Sequence, residues 1–228
     1  MKFFNKLMSL LLIALVVSCS QSEKSGENEE AKDTAETAAE APASTAVLNA
    51  NLASEEEMSQ AGIPAELAAQ VLANRPFLTM NDLDALIGDS MDVAAKEELY
   101  KKVFVPFNLN TTAEADFKMI PGVGDRMAHE FEEYRPYLKL EQFRKEIGKY
   151  VDEAEVARYE QYVFVPVELN TASEADILAL PGVGGKMAHE FEEYRPYSSM
   201  AQFRKEIGKY VDDKELSRLE RFVYLKED

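Results

Sequence analysis

The chain has 228 residues, with no tryptophan and a single cysteine, and it carries a formal net charge of −17 at pH 7. One cysteine excludes an internal disulfide framework. The acidic balance excludes a broadly basic nucleic-acid-binding domain, in which neutralised phosphates supply most of the non-specific affinity. Any contact with an anionic partner must therefore come from a local cluster of basic side chains or backbone N–H groups.

Residues 1–18 have the pattern of an export signal. Lys2 and Lys6 precede an uncharged apolar run from Leu7 to Val17, which is too short to span a bilayer. The segment leads into Cys19, and its end resembles the lipobox of bacterial lipoproteins, in which the cysteine is lipidated and becomes the mature N-terminus. The resemblance implies that Cys19 anchors the protein to a membrane. The alternative is a cleaved secretory signal followed by an incidental cysteine.

After the cysteine, residues 19–47 form an acidic stretch rich in Glu, Ala, Ser and Thr. This stretch has no aromatic residue and cannot bury enough apolar surface to fold. We predict a disordered, extended linker that holds the folded part away from the lipid surface. Ser20, rather than an aspartate, follows the cysteine, and by resemblance to proteobacterial sorting this favours the outer membrane. We therefore expect a lipid-anchored protein of the bacterial cell envelope that faces the periplasm or the cell surface.

The remainder of the chain is built from repeated units. The string MAHEFEEYRPY occurs at Met127–Tyr137 and again at Met187–Tyr197. Two identical strings at a fixed separation along the chain indicate a duplicated structural unit. The predicted units are residues 48–106, 107–166 and 167–228.

The first unit is an eroded copy of the other two. Its Gly62-Ile63-Pro64 stands where each of the others has Pro-Gly-Val-Gly. A proline at this point removes a backbone N–H group, and Ala65 and Glu66 follow it in place of a basic residue. We expect this unit to keep the fold and to lack an anion site.

In the second and third units, Thr111-x-x-Glu114 and Thr171-x-x-Glu174 have the spacing of capping boxes. They predict a first helix that begins at the threonine and runs to about Ile120 or Leu180, where a proline ends it.

Three further helices are predicted in each of these units. In the second unit, one runs from the hairpin to Tyr134, one stops near Gly148, and one starts at Asp152 and carries Val163. Four short helices in about 60 residues predict a compact all-α unit. The tyrosines expected in helix packing, with base stacking as the alternative, are Tyr134, Tyr137, Tyr194 and Tyr197.

The tetrapeptides Pro121–Gly124 and Pro181–Gly184 lie between the first and second helices. Two glycines around a valine allow a tight reversal with positive φ, and they expose N–H groups at the start of the next helix. That helix end carries partial positive charge and suits a phosphate. The candidate nucleic-acid-binding residues are Gly122, Val123, Gly124 and Arg126 in the second unit and Gly182, Val183, Gly184 and Lys186 in the third.

This pattern resembles the helix-hairpin-helix motif, hydrophobic-Gly-hydrophobic-Gly with a nearby Lys or Arg, which grips DNA backbone phosphate without reading sequence. With the preceding Leu-Asn-Thr and the following Tyr-Arg, each unit resembles the ComEA-like competence proteins, envelope receptors of double-stranded DNA. The resemblance implies an all-α fold of three tandem helix-hairpin-helix units. It departs from the family in the second hairpin of each unit, where Ile147–Tyr150 and Ile207–Tyr210 have no second glycine. There the implied contacts reduce to Lys149 and Lys209.

Basic residues beyond the hairpins could gather on the hairpin side of each unit and offset the acidic background. The predicted patch consists of Arg126, Arg144, Lys145 and Lys149, with Lys186, Arg204, Lys205 and Lys209 as the equivalents in the third unit.

Two classes of function remain. The first is DNA binding through the hairpins. The second is a structural or adaptor lipoprotein whose repeats bind a protein partner in the envelope, with the glycines serving helix packing. No second potential metal ligand lies at a suitable helical spacing from His129 or His189, so no metal site is predicted. Since no nucleophile and base are paired in a known pattern, neither an enzymatic activity nor a cofactor is predicted.

Overall fold

The structure, a computed structural model, describes residues 46–88 and 91–226. The predicted signal peptide, Cys19 and the linker up to residue 45 lie outside the described residues. Within the described ranges, every helix is too short or too polar to cross a membrane.

The described chain is mostly helical, and the same order of elements occurs three times. The first set is β1 (Leu48–Asn49), α1 (Glu55–Gln60), α2 (Ala65–Asn74), α3 (Met80–Ile87), α4 (Val93–Tyr100) and β2 (Val103–Phe104). The second set is β3 (Phe107–Asn108), α5 (Glu114–Phe117), α6 (Asp125–Glu133), α7 (Leu140–Ile147), α8 (Glu153–Glu160) and β4 (Val163–Phe164). The third set is β5 (Val167–Glu168), α9 (Glu174–Leu178), α10 (Gly185–Glu193), α11 (Met200–Ile207), α12 (Asp213–Glu220) and β6 (Val223–Tyr224).

Each set is closed by a parallel pair of two-residue strands, which the sequence analysis did not predict. Phe107 lies opposite Val163, and the backbone N–H of Leu109 donates to the carbonyl oxygen of Phe164 at 3.0 Å. Val163 was predicted in the fourth helix and lies instead in β4. The pairing brings the start and the end of each unit together.

The predicted capping boxes are wrong by two residues. The cap of α5 is Ala113, and the cap of α9 is Ser173, whose hydroxyl accepts from the N–H of Asp176. The N–H groups of Thr111 and Thr112 instead donate to the carbonyl oxygen of Asn108, in the turn that follows β3. Because this turn uses the threonine backbone, the helix starts later than its sequence signal.

The first helix is also shorter than predicted, since α5 ends at Phe117 rather than at Ile120. The N–H of Ile120 donates to the carbonyl oxygen of Phe117 at 3.0 Å, which closes a tighter turn before the hairpin. Two other boundaries agree with the sequence, since α7 stops before Gly148 and Asp152 caps α8.

A clasp of asparagine and arginine holds the loop after the first strand in every unit. Asn110 donates from its side-chain amide to the carbonyl of Tyr137 at 2.8 Å and accepts from the N–H of Tyr137 at 2.7 Å. Arg135 donates to the carbonyl oxygens of Leu109 and Thr112. The equivalent asparagines are Asn51 and Asn170, the equivalent arginines are Arg75 and Arg195, and each arginine precedes a cis proline. The clasp is complete in the first unit, so its erosion is confined to the hairpin.

The first two units share one continuous apolar core, and the third has its own. Phe104 joins the first two, because its ring lies 5.2 Å from that of Phe107 and 4.9 Å from that of Tyr162, both edge to face. The third unit also contacts the first two through Arg221, whose guanidinium donates to the carbonyl oxygen of Pro106 at 2.8 Å. Burial lowers the pKa of Arg221 to about 10.

Candidate nucleic-acid interface

Both complete hairpins form the turn that their glycines require. In the second unit, the N–H of Val123 donates to the carbonyl oxygen of Ile120 at 2.9 Å, and Gly122 has a φ of 79°. The N–H of Val183 makes the same bond in the third unit, where Gly182 has a φ of 72°. Proline followed by a positive-φ glycine is the sequence of a type II turn. The valine between the glycines is buried, as predicted.

The helices that follow these hairpins start without a side-chain cap. Gly124 caps α6 and Gly184 caps α10, both in extended conformation. By helix geometry, the N–H groups of residues 125–127 and 185–187 have no acceptor in their own helix. The predicted anion sites are therefore rows of backbone donors at exposed helix N-termini.

The second hairpins of each unit are closed to an anion. Asp152 accepts from the N–H of Glu155 at 2.9 Å, and Asp212 accepts from the N–H of Glu215 at 2.8 Å. A phosphate at either helix end would meet this aspartate, so the missing glycine has removed the site.

The basic patch predicted around the hairpins is largely neutralised by ion pairs. Arg126 and Lys186 are the exceptions, since among the described residues neither has a carboxylate within 4.0 Å. The other predicted cations are paired as Arg144 with Glu160, Lys145 and Lys149 with Glu146, Arg204 with Glu220, and Lys205 and Lys209 with Glu206. In these pairs, α7 and α8, and likewise α11 and α12, bring glutamates to the cations.

The residue after the second glycine distinguishes the two sites. In the second unit it is Asp125, a carboxylate in the first turn of α6 that pairs with Lys118 at 2.9 Å. In the third unit it is Gly185, and the first turn of α10 has no acidic residue. The third hairpin therefore has no carboxylate at the helix end that would receive a phosphate, where a negative charge opposes anion binding.

The two histidines are exposed residues of α6 and α10. Nδ1 of His129 lies 3.2 Å from Glu114, and hydrogen bonding with this carboxylate raises the pKa of His129. His189 lies 3.6 Å from Glu193. In the part of the chain that the structure describes, no three His, Cys, Asp or Glu side chains come together as a metal-binding group.

A tyrosine pair lies beside each hairpin. In the second unit, the hydroxyl oxygens of Tyr134 and Tyr150 are 2.7 Å apart. The guanidinium of Arg126 lies 5.6 Å from the ring centre of Tyr150, and the ammonium of Lys149 lies 4.8 Å from that of Tyr134. Tyr150 was not predicted as a site residue, although it recurs directly after a lysine in a second repeated string, QFRKEIGKYVD, at Gln142–Asp152 and Gln202–Asp212.

In the third unit, the hydroxyl oxygens of Tyr194 and Tyr210 are also 2.7 Å apart, and Lys209 lies 4.8 Å from the ring centre of Tyr194. Glu190 of α10 is buried. Hydrogen bonding with Tyr194 and Glu190 raises the pKa of Tyr210 well above its usual value.

Buried arginines behind the hairpins were also missed. Arg218 donates from Nη1 to the carbonyl oxygen of Pro181 at 2.6 Å and from Nη2 to Glu215 at 2.6 Å. Arg158 makes the same pair with Glu155 and lies close to Gly122, but it is more exposed. The signal available in the sequence was Glu-x-x-Arg, which recurs in α8 and α12.

The third hairpin also contacts the first unit. A Cβ atom at Gly182 would lie 2.6 Å from Cδ2 of Leu52. Gly122 has no such neighbour, since the nearest atom to its Cβ position is Nη2 of Arg158 at 3.3 Å. The third hairpin is therefore contacted both by residues of its own unit and by Leu52 of the first unit.

The first hairpin has a different construction. Gly62 has a φ of 72°, and it ends α1 in a Schellman motif, in which the N–H of Ile63 donates to the carbonyl oxygen of Met58 at 3.0 Å. Pro64 then caps α2, where the other units have a glycine. The chain direction is preserved, and Pro64 lacks the N–H group that Gly124 and Gly184 have at the same position.

Residues 163–224 match the family model of the helix-hairpin-helix motif. The matched range includes the third hairpin, Lys186 and the tyrosine pair. Comparison of the chain with curated proteins and with solved structures finds no match.

Proposed function

We propose that the protein is an envelope lipoprotein, anchored through Cys19, that binds double-stranded DNA by its backbone phosphates in a competence-like uptake process. The observation that supports this most strongly is the third hairpin, where an uncapped helix end, a Lys186 without an ion pair among the described residues, and the family match coincide. A helix-hairpin-helix motif is commonly a DNA-binding element that does not read sequence. The proposed role is binding without catalysis.

Few contacts are expected for each protein molecule. The second hairpins are closed by Asp152 and Asp212, so each unit offers one phosphate site at most. The first unit, with Pro64, adds none. Two neutralised phosphates correspond to a shallow dependence of affinity on salt, with a logarithmic slope of about −2.

A groove between the units supports a second candidate function, an adaptor that binds a protein partner. The groove has a volume of about 1330 Å³, and residues of all three units line it. Leu138, 68% exposed, and Leu52, 44% exposed, are among its apolar residues. Exposed leucines in a concave surface are typical of protein contacts.

The deciding experiment measures binding of the full chain to short labelled duplex DNA by fluorescence anisotropy across a salt series. A double variant, Arg126→Glu with Lys186→Glu, is compared with a control that makes the same charge change in the exposed Lys145 and Lys205. We expect binding that weakens with salt, falls by roughly tenfold or more in the hairpin variant and persists in the control. Equal losses in both variants would indicate a general charge effect, and no binding at low salt would favour the adaptor.

A further inference from the structure

We propose that Tyr210 is a stacking surface for an unpaired nucleobase, so that the third unit binds single-stranded DNA, such as the frayed end of a duplex. This inference rests on the proposed function, because it places the base next to a phosphate held by the third hairpin. It adds a ligand class that the hairpin alone does not select.

The second unit shows how close the hairpin cation and this tyrosine position are. There the guanidinium of Arg126 lies 5.6 Å from the ring centre of Tyr150. Lys186 and Tyr210 occupy the same positions in the third unit, since Lys186 directly precedes the repeat of MAHEFEEYRPY as Arg126 does in the second unit. A nucleotide whose phosphate is held at the hairpin therefore has its base within reach of the Tyr210 ring.

The ring of Tyr210 is open where that of Tyr150 is covered. Tyr210 is 40% exposed, and among the described residues no cation lies over its ring. Lys209, the nearest basic neighbour in sequence, lies over Tyr194 and pairs with Glu206. Replacement of the arginine of the second unit by Lys186 leaves one aromatic face free.

The free ring is held in place before any ligand arrives. Its hydroxyl is hydrogen-bonded to that of Tyr194, and the two rings are 6.4 Å apart at 48°. Hydrogen bonding with Tyr194 and Glu190 raises the pKa of Tyr210, so the phenol stays neutral and adds no charge that would repel a phosphate. A fixed aromatic ring loses little conformational entropy when a base stacks on it.

Stacking of this kind selects single strands. Any base can stack on an aromatic ring, so the contact tolerates every sequence, but the base must have a free face. Bases inside a duplex have both faces occupied by their neighbours. The phosphate grip would hold either form of DNA, and Tyr210 would favour the unpaired one.

The test compares binding of the full chain to three labelled ligands of equal length: oligothymidylate, an abasic strand with the same phosphates, and a duplex. We expect oligothymidylate to bind on the order of tenfold more tightly than the abasic strand. Tyr210→Leu should abolish this preference, and Tyr210→Phe, which keeps the ring, should retain it. Tyr150→Leu is the matched control and should leave the preference unchanged.

Equal affinity of the wild-type chain for oligothymidylate and the abasic strand would overturn the inference, while duplex binding would still support the hairpin grip. Equal loss in Tyr210→Phe and Tyr210→Leu would also overturn it, because the hydroxyl and not the ring would then matter. Failure to bind any of the three ligands would refute the proposed function itself. The comparison of wild-type ligands decides the question even if Tyr210→Leu does not fold.

Discussion

The second and third hairpins share one tetrapeptide and one turn, yet they present different surfaces. The second has Asp125 in its first helical turn, and its Arg126 lies over Tyr150. The third has Gly185 and, beside an open tyrosine ring, a Lys186 without an ion pair among the described residues. Identical motif residues therefore fix the backbone, and the side chains that follow them decide whether an anion is attracted.

The two hairpins also differ on their inner side. The carbonyl oxygen of Pro181 is bonded by the buried Arg218, and Gly182 lies against Leu52 of the first unit. At the second hairpin, the equivalent Arg158 is partly exposed. The third hairpin is thus more firmly held from behind.

Substitution of Arg218 and of Arg158 gives the largest expected difference in unfolding free energy between the two hairpins. Arg218→Gln leaves Glu215 and the Pro181 carbonyl without their buried partner, and we expect a loss of about 3 kcal/mol in unfolding free energy. Arg158→Gln should lose about 1 kcal/mol, since water can replace the exposed pair. Urea unfolding followed by circular dichroism measures both. Equal losses would show that the third hairpin is not specially supported.

Alanine at the positive-φ glycines tests the contact with the first unit. Gly122→Ala should cost about 1–2 kcal/mol for the left-handed conformation alone. Gly182→Ala should cost more, because its methyl group would displace Leu52. Thermal unfolding of Gly182→Ala with and without Leu52→Ala isolates this coupling. If Leu52→Ala fails to reduce the cost of Gly182→Ala, the contact does not constrain the hairpin.

Exchanging the residue that follows the second glycine should reverse the difference in phosphate affinity between the two hairpins. Gly185→Asp places a carboxylate at the helix end that receives the phosphate, and we expect DNA affinity to fall by about 1 kcal/mol, or fivefold. Asp125→Gly should raise affinity by a similar or smaller factor. Anisotropy titrations at low salt measure both changes. An unchanged affinity in Gly185→Asp would mean that the third hairpin is not the stronger site.

The smallest effect is expected at His129, whose Nδ1 contacts Glu114, whereas among the described residues His189 contacts Glu193 and not the equivalent Glu174. Glu114 raises the pKa of His129, so protonation is favoured in the folded state. The resulting stability is fully present below the unfolded pKa of about 6.5 and is lost as the pH rises through the folded pKa. His129→Gln should remove this dependence between pH 6 and pH 8, as measured by thermal unfolding. His129→Gln with an unaltered pH profile would contradict the pairing.

Local sequence signals predicted most of the helices correctly. The glycine after Ile147 and the aspartate at 152 each act within one turn of their own position, so their effects could be read directly. The threonine signal failed because Thr111 follows a strand, and the strand exists only through pairing with a distant segment. Pairing between residues so far apart leaves no local pattern.

Features of the candidate site also fall into two groups, those set by adjacent residues and those set by tertiary packing. The turn, the buried valine and the following cation were predictable from adjacent residues. The neutralisation of Arg144 by Glu160 was not, because it depends on how α7 packs against α8. The contact of Leu52 with Gly182 joins the first unit to the third, and no local sequence pattern around either residue predicts it.

The short parallel strands have a consequence for how such a chain can change in evolution. Because Phe107 lies opposite Val163 and Val167 lies opposite Val223, the first and last residues of each unit are adjacent, and the next unit starts beside them. A gene segment encoding one unit can be copied in frame without requiring a new connection. The chain can therefore gain a copy and let another diverge, and the hairpin with Pro64 beside an intact clasp is what such a history would leave.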